Sequence, residues 1–345
     1  MPASSLATRV ALIAGLGALA VSPAGCGSGH RRAVAPKARA VAPARVVSVR
    51  APRVRPGPEA LVTAESANRL VLVGLRRGRV IRSVPVPADT EYVAATQRVV
   101  VAVSAGGTVL LLARSSLRRI KVLSGFESPH IPAISPRGAY AYVTDDARGT
   151  LTAIRLRDGR IMSTVFVGGG AHHMGVSPDG RTLWVALGQS ASKIVILDSS
   201  RPRRPRITGA FEPGFLVHAV MFTPDGRRVW MSSASGPDVG VFSAARHRLL
   251  YRVPGGAPPQ HIVFAGSSVY VTSGYSSTIE RVSLATGHVL RRASAPYGSF
   301  ELDSADGFVV AASLFRGRVA IYDEKLDRER TLAIAPATED VVIAP

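Results

Sequence analysis

The chain has 345 residues, 46% of them hydrophobic, with 43 Lys+Arg against 23 Asp+Glu and a single Cys. This is the composition of a globular protein large enough to need no disulfide staples, and it excludes a collagen, a disordered tail and a disulfide scaffold. A formal charge of +20 raises nucleic acid as a partner and the length raises two domains, so both questions turn on where the charges and repeats fall.

The first acidic residue is Glu59. Arg9 followed by the twelve-residue apolar run Val10 to Val21 reads as an export signal over residues 1–25. Twelve residues fall short of the about 20 that a bilayer-spanning helix needs. Ser22-Pro23-Ala24-Gly25-Cys26 then resembles the lipobox of bacterial lipoproteins. That resemblance implies a lipid on Cys26 and a protein anchored to the outer face of the cell membrane or cell envelope. Pro23 departs from the aliphatic residue usual at its position, which keeps ordinary signal cleavage as the alternative. Residues 26–58 carry eight positive charges (Arg31, Arg32, Lys37, Arg39, Arg45, Arg50, Arg53, Arg55) among prolines and alanines, with no alternating apolar pattern. They read as a disordered or polyproline-like tether, either a solvated spacer or a contact with an anionic surface. The charge left on Glu59 to Pro345 is +11.

From residue 59 onward, short apolar runs recur with turn signals between them, and no stretch keeps a helical period. Ser177-Pro178-Asp179-Gly180-Arg181 and Thr223-Pro224-Asp225-Gly226-Arg227, with a weaker copy at Ser135-Pro136-Arg137-Gly138, are hairpin turns: Pro presets φ, and Gly accepts the left-handed conformation that follows. Strands follow each turn, as at Leu183-Trp184-Val185-Ala186 and Val229-Trp230-Met231, and units of four strands recur every 40 or so residues. That is the pattern of propeller blades. Aligning the first strands places Glu91, His130, His172, His218, His261, Glu301 and Glu339 at equal positions, spaced 39, 42, 46, 43, 40 and 38 apart. Ala60 to Pro87 supplies only three strands and Glu339 to Ile343 only one. The expectation is therefore all-β: a seven-bladed propeller of four-stranded antiparallel blades over 59–345, closed by pairing the carboxyl-terminal strand with the amino-terminal blade.

Tyr142-Val143-Thr144-Asp145 and Tyr270-Val271-Thr272-Ser273, each ahead of an Ile/Val-rich strand, resemble the repeats of the YVTN family of β-propellers, with Asp145 and Ser273 in place of the Asn that names the repeat. The likeness covers about 59 to 345 and implies an exported seven-bladed propeller. Relatives in fold include lyases, lactonases and metal-centre enzymes, so no activity transfers with the fold.

Equal positions on the innermost strands ring one mouth of the central channel. Here four imidazoles from consecutive blades (His130, His172, His218, His261) face three carboxyls (Glu301, Glu339, Glu91), and His173 is an alternative ring member. Imidazole and carboxylate converging on one point are ligands for a divalent transition metal such as Zn, Cu, Fe or Mn, and a His/Glu pair also suits general acid–base work. The competing reading is structural, with His261 against Glu301 and Glu91 against His130 as neutralising pairs. No His-Glu-x-x-His, Gly-x-Ser-x-Gly or P-loop motif is present. Paired arginines such as Arg76-Arg77 and Arg291-Arg292 lack interleaved aromatics, so nucleic acid is not the expected partner. The expected role is a monomeric, membrane-tethered binding or protein-interaction scaffold that meets a protein or an anionic envelope polymer. The alternative is a lyase- or lactonase-like or metal-binding enzyme that uses the His/Glu ring.

Overall fold

The computed structural model describes residues 57–258 and 260–344. The segments read as an export signal and as a tether up to residue 56, with Cys26, lie outside the described residues. Twenty-eight strands, β1 to β28, build seven four-stranded sheets. Blade 1 joins β28 (Val341–Ala344) to β1 (Glu59–Ala64), β2 (Arg69–Gly74) and β3 (Arg79–Pro85), and the other six blades take four consecutive strands each. Their innermost strands are β4 (Thr90–Ala95), β8 (Pro129–Ile134), β12 (Ala171–Val176), β16 (Val217–Phe222), β20 (Gln260–Ala265) and β24 (Ser299–Ala305). Each packs on the next, and β24 and β4 both pack on β28, so the ring closes through the chain's two ends as the repeats predicted. The closing register pairs Leu61 with Val342 and Val62 with Val341.

The turn motifs behave as their chemistry requires. In the turn before β13 (Thr182–Leu187), Asp179 accepts hydrogen bonds from the Ser177 hydroxyl at 2.6 Å and the Arg181 N–H at 2.9 Å, while Gly180 takes φ +71°. The core lies between blades: Tyr142, Trp184, Trp230 and Tyr270 occupy the third position of successive second strands and are fully buried. In every blade the outermost strand is bulged against its neighbour, and most of these strands open on Arg, which blunts the exposed edge.

A second set of bulges aims side chains into the channel. Five of the innermost strands shift register near their start, at Glu91, at His130 and Ile131, at His172 and His173, at His218 and Ala219, and at Phe300 and Glu301. A bulge leaves a backbone N–H unpaired. Hydroxyls on the second strands supply missing partners: Thr144 Oγ1 accepts the Ile131 N–H at 3.2 Å and Ser232 Oγ the Ala219 N–H at 3.0 Å, and Thr63 Oγ1 likewise accepts the Asp340 N–H just ahead of β28 at 2.8 Å. Threonines at this position also reach the following blade, Thr144 donating to the His172 carbonyl at 2.6 Å, Thr63 to the Glu91 carbonyl at 2.7 Å and Thr272 to the Phe300 carbonyl. The Thr of each Tyr-Val-Thr run is thus a blade-to-blade joint that holds the channel strands in place.

Candidate metal centre

Five imidazoles from blades 3 to 6 gather at the channel mouth. His130, His172, His218 and His261 hold the second position of their strands, and His173 follows His172 in the bulge of β12. His172, His173, His218 and His261 are only 5–7% exposed. The ring of His130 stacks on His172 with centroids 3.7 Å apart, and His173 stands 4.2 Å from His218 and 4.7 Å from His172. Two groups of three ring nitrogens each lie within 4.8 Å of one another, on His130, His172 and His173 and on His173, His218 and His261. His173 belongs to both.

Partners outside the cluster orient three of these rings. His218 Nδ1 meets the Gln189 carbonyl at 3.0 Å, His261 Nδ1 meets Glu301 Oε1 at 2.9 Å and His172 Nδ1 meets Asp146 Oδ2 at 3.1 Å. This leaves the three Nε2 atoms facing inward, and those of His218 and His261 are 3.1 Å apart. Two nitrogens bound to one tetrahedral zinc at about 2.0–2.1 Å sit roughly 3.3 Å apart, so the spacing already suits a shared ion. Carbonyl or carboxylate on the far nitrogen is the usual support of a metal-bound imidazole. Without an ion, a chain of neutral groups can close instead: a Glu301 acid proton to His261 Nδ1, the His261 Nε2–H to His218 Nε2, and the His218 Nδ1–H to Gln189. Among the described residues, His173 Nδ1 and Nε2 and His130 Nε2 are buried with no hydrogen-bond partner.

Burial sets the protonation. It pulls His130 down to about 2, with the charges of His172, His218 and His261 adding to the effect, and it pulls His218 down to about 3 and His261 to about 4. His173 falls well below the usual histidine range for the same reason, and in His172 burial outweighs the opposing Asp146 carboxylate. The imidazoles therefore present neutral lone pairs. Burial also raises Glu301, so its contact with His261 is between neutral partners rather than an ion pair.

The carboxyl part of the expected ring is arranged differently. Glu301 sits one residue beyond the position aligned with the histidines, which Phe300 occupies. Glu339 precedes β28 instead of opening it, and the strand starts at Val341. Glu91 is raised to about 7 by burial and then by the charges of Glu65 and Asp89, and Glu339 to about 9 by burial and then by Glu301, Glu65, Glu91 and Asp340. Neither joins a group of metal-ligating atoms among the described residues. The neighbour of His130 on that side is the ring of Tyr92, 4.4 Å away, where a Glu91 pair was expected. Reading the repeats also passed over Asp146 and Gln189. Asp146 stands beside the Tyr-Val-Thr-Asp run and was visible in principle. Gln189 contributes a main-chain carbonyl, for which no residue type is a signal.

No family model matches the chain, and no curated protein matches it in sequence. Solved structures do match in shape. A functionally unknown protein from Desulfotomaculum acetoxidans DSM 771 is 16% identical with a TM-score of 0.72, covering 83% of this chain and 98% of its own. Dihydro-heme d1 dehydrogenase NirN in complex with DHE is 15% identical with a TM-score of 0.62, and the match spans 81% of this chain but only 64% of NirN. Kuenenia stuttgartiensis hydrazine synthase is 15% identical with a TM-score of 0.59, covering 73% of this chain and 88% of that one. At these identities the likeness concerns the fold alone: the chain is a seven-bladed β-propeller.

Proposed function

We propose that this propeller binds a transition-metal ion at the imidazole half of its channel mouth, on His173, His218 and His261, and offers it to a ligand entering the channel. The observation that carries the reading is His173, a deeply buried imidazole with neither nitrogen hydrogen-bonded. An unsatisfied buried polar group costs about 1–3 kcal/mol, and a bound ion removes that cost. An all-imidazole set favours Zn, Cu, Fe or Ni over the hard ions Mg and Ca. Glu301 and the Gln189 carbonyl would hold the rings of His261 and His218, and three imidazole ligands would leave the fourth position of a tetrahedral ion to a water or substrate. When bound, the ion supplies Lewis acidity; the chain's own part is to orient the rings and to keep them unprotonated.

The test is elemental analysis of purified protein loaded with zinc and dialysed. Retained stoichiometric zinc, lost in the His218→Ala/His261→Ala double variant, is the expected result, and a metal-free wild type overturns the reading. A scaffold role has its own support in Tyr275, Tyr297 and Phe315, three exposed aromatic rings from alternate loops of the chain clustered over Phe300, next in sequence to Glu301. The YVTN likeness and the lipobox around Cys26 extend the proposal to an exported protein tethered to a membrane. In its native host, Cys26→Ser should then release the protein from the membrane fraction, and a variant that stays bound contradicts the tether.

A further inference from the structure

We propose that the imidazole half holds two transition-metal ions, with His173 bridging them as an imidazolate. One ion sits on His173, His218 and His261 and the other on His130, His172 and His173. The proposal rests on the metal reading above and adds a second site to it.

His173 is the exception in the cluster. A histidine that binds one ion through one nitrogen normally donates its other N–H to a carbonyl, a carboxylate or water. His172, His218 and His261 follow that rule through Asp146, Gln189 and Glu301. Among the described residues His173 has no such partner on either nitrogen, although both are buried. A ring that serves one ion through each nitrogen needs no other partner. It is also the one residue common to the two groups of converging nitrogens.

The group of His130, His172 and His173 is also built like that of His173, His218 and His261. His172 is turned by a carboxylate of Asp146 from the preceding blade, as His261 is turned by Glu301 from the following blade. His130 brings a second inward nitrogen, Nε2, which is likewise buried and unpartnered. Its ring lies against Tyr92 at 4.4 Å and stacks on His172 at 3.7 Å with planes 19° apart, so it turns off the stack to bring Nε2 to a shared ion. Nitrogens within 4.8 Å of one another need to draw in to roughly 3.3 Å around a tetrahedral ion, a movement of side chains rather than of strands.

Charge and protons balance. Binding of the second ion displaces the remaining ring proton of His173 to solvent, and any proton on Glu301 leaves with it. Two divalent ions, one imidazolate and the carboxylates of Glu301 and Asp146 leave a single net positive charge, which the polar channel can screen. No electron is transferred.

Copper(II) is the probe, because two copper ions joined by an imidazolate couple their spins. The full-length protein is loaded with copper(II), dialysed, and measured by elemental analysis and electron paramagnetic resonance. The expected wild type retains two coppers per chain with a low-temperature spin intensity far below two. His130→Ala should retain one copper with one full spin, and His173→Ala should lose the coupling and most of the metal. One copper per wild-type chain overturns the bridge but leaves the single-ion reading standing, and none overturns both. Two coppers with full two-spin intensity also overturn the bridge. The wild-type count and spin intensity decide the matter even if a variant folds poorly.

Discussion

The two halves of the channel mouth occupy equivalent strands of one repeated blade yet use them oppositely. In the half built by blades 7, 1 and 2, buried carboxyls are consumed by the ring's own closure. Asp340 accepts the Val93 N–H at 2.8 Å and the Val341 N–H at 2.7 Å, tying β28 to β4, while Asp303 accepts the Ile343 N–H at 2.7 Å, tying β24 to β28. In the half built by blades 3 to 6, Thr144 joins blade 3 to blade 4 through the His172 carbonyl, and His130 Nε2 and both ring nitrogens of His173 have no hydrogen-bond partner among the described residues. A buried polar group without a hydrogen bond needs an explanation, and for His130 and His173 a bound ion supplies one. The seam where the chain's ends meet needed joints, and the uninterrupted blades were free to carry a site.

Removing the central ring should break this contrast most severely. His173→Ala takes a ligand from both groups of nitrogens, and zinc retention after dialysis should fall to background while the melting temperature of the ion-free protein stays close to wild type. A variant that keeps its zinc would place the metal elsewhere. A smaller effect is expected from Glu301→Gln, which keeps the shape but removes the carboxylate behind His261. Loss of such a supporting group typically weakens metal binding about 10- to 100-fold, readable by competition with a zinc chelator. Unchanged affinity would make Glu301 part of the structural half only.

The pH dependence of stability separates the halves further. Glu339, raised from 4.5 to about 9, holds a proton in the folded state that the unfolded chain releases, so its contribution is full below pH 4.5 and is lost as pH rises toward 9. His218, lowered from 6.5 to about 3, has the opposite sign: its contribution is present above pH 6.5 and is lost as pH falls toward 3. The two sets oppose each other between about 4.5 and 6.5, where ion-free protein should be most stable. Glu339→Gln should flatten the decline above that window, by at most about 1.4 kcal/mol per pH unit in chemical denaturation. An equally steep decline in the variant would mean that Glu339 is not held protonated.

Much of the fold was legible because repetition amplifies weak signals. One Pro-Asp-Gly turn says little, whereas three turns in register with Trp184 and Trp230 define a blade, and the missing fourth strand before Pro87 foretells the closing strand at the other end. The site was legible only in part. The recurrence of His130, His172, His218 and His261 followed from the same register, but Glu301 falls one place later in its strand than they do, where Phe300 takes their position, and a bulge brings His173 in beside His172, which alignment by spacing cannot anticipate. The division of labour between carboxyls was hidden for a different reason. Asp340 and Asp303 bond main-chain N–H groups of distant strands, a choice made by packing and not by sequence neighbours.

X-ray absorption at the zinc edge of the loaded wild-type protein tests the central claim most directly. A first shell of nitrogens at about 2.0–2.1 Å, with the outer-shell scattering of at least three imidazoles, is the predicted result. A shell of oxygens without imidazole scattering would contradict it.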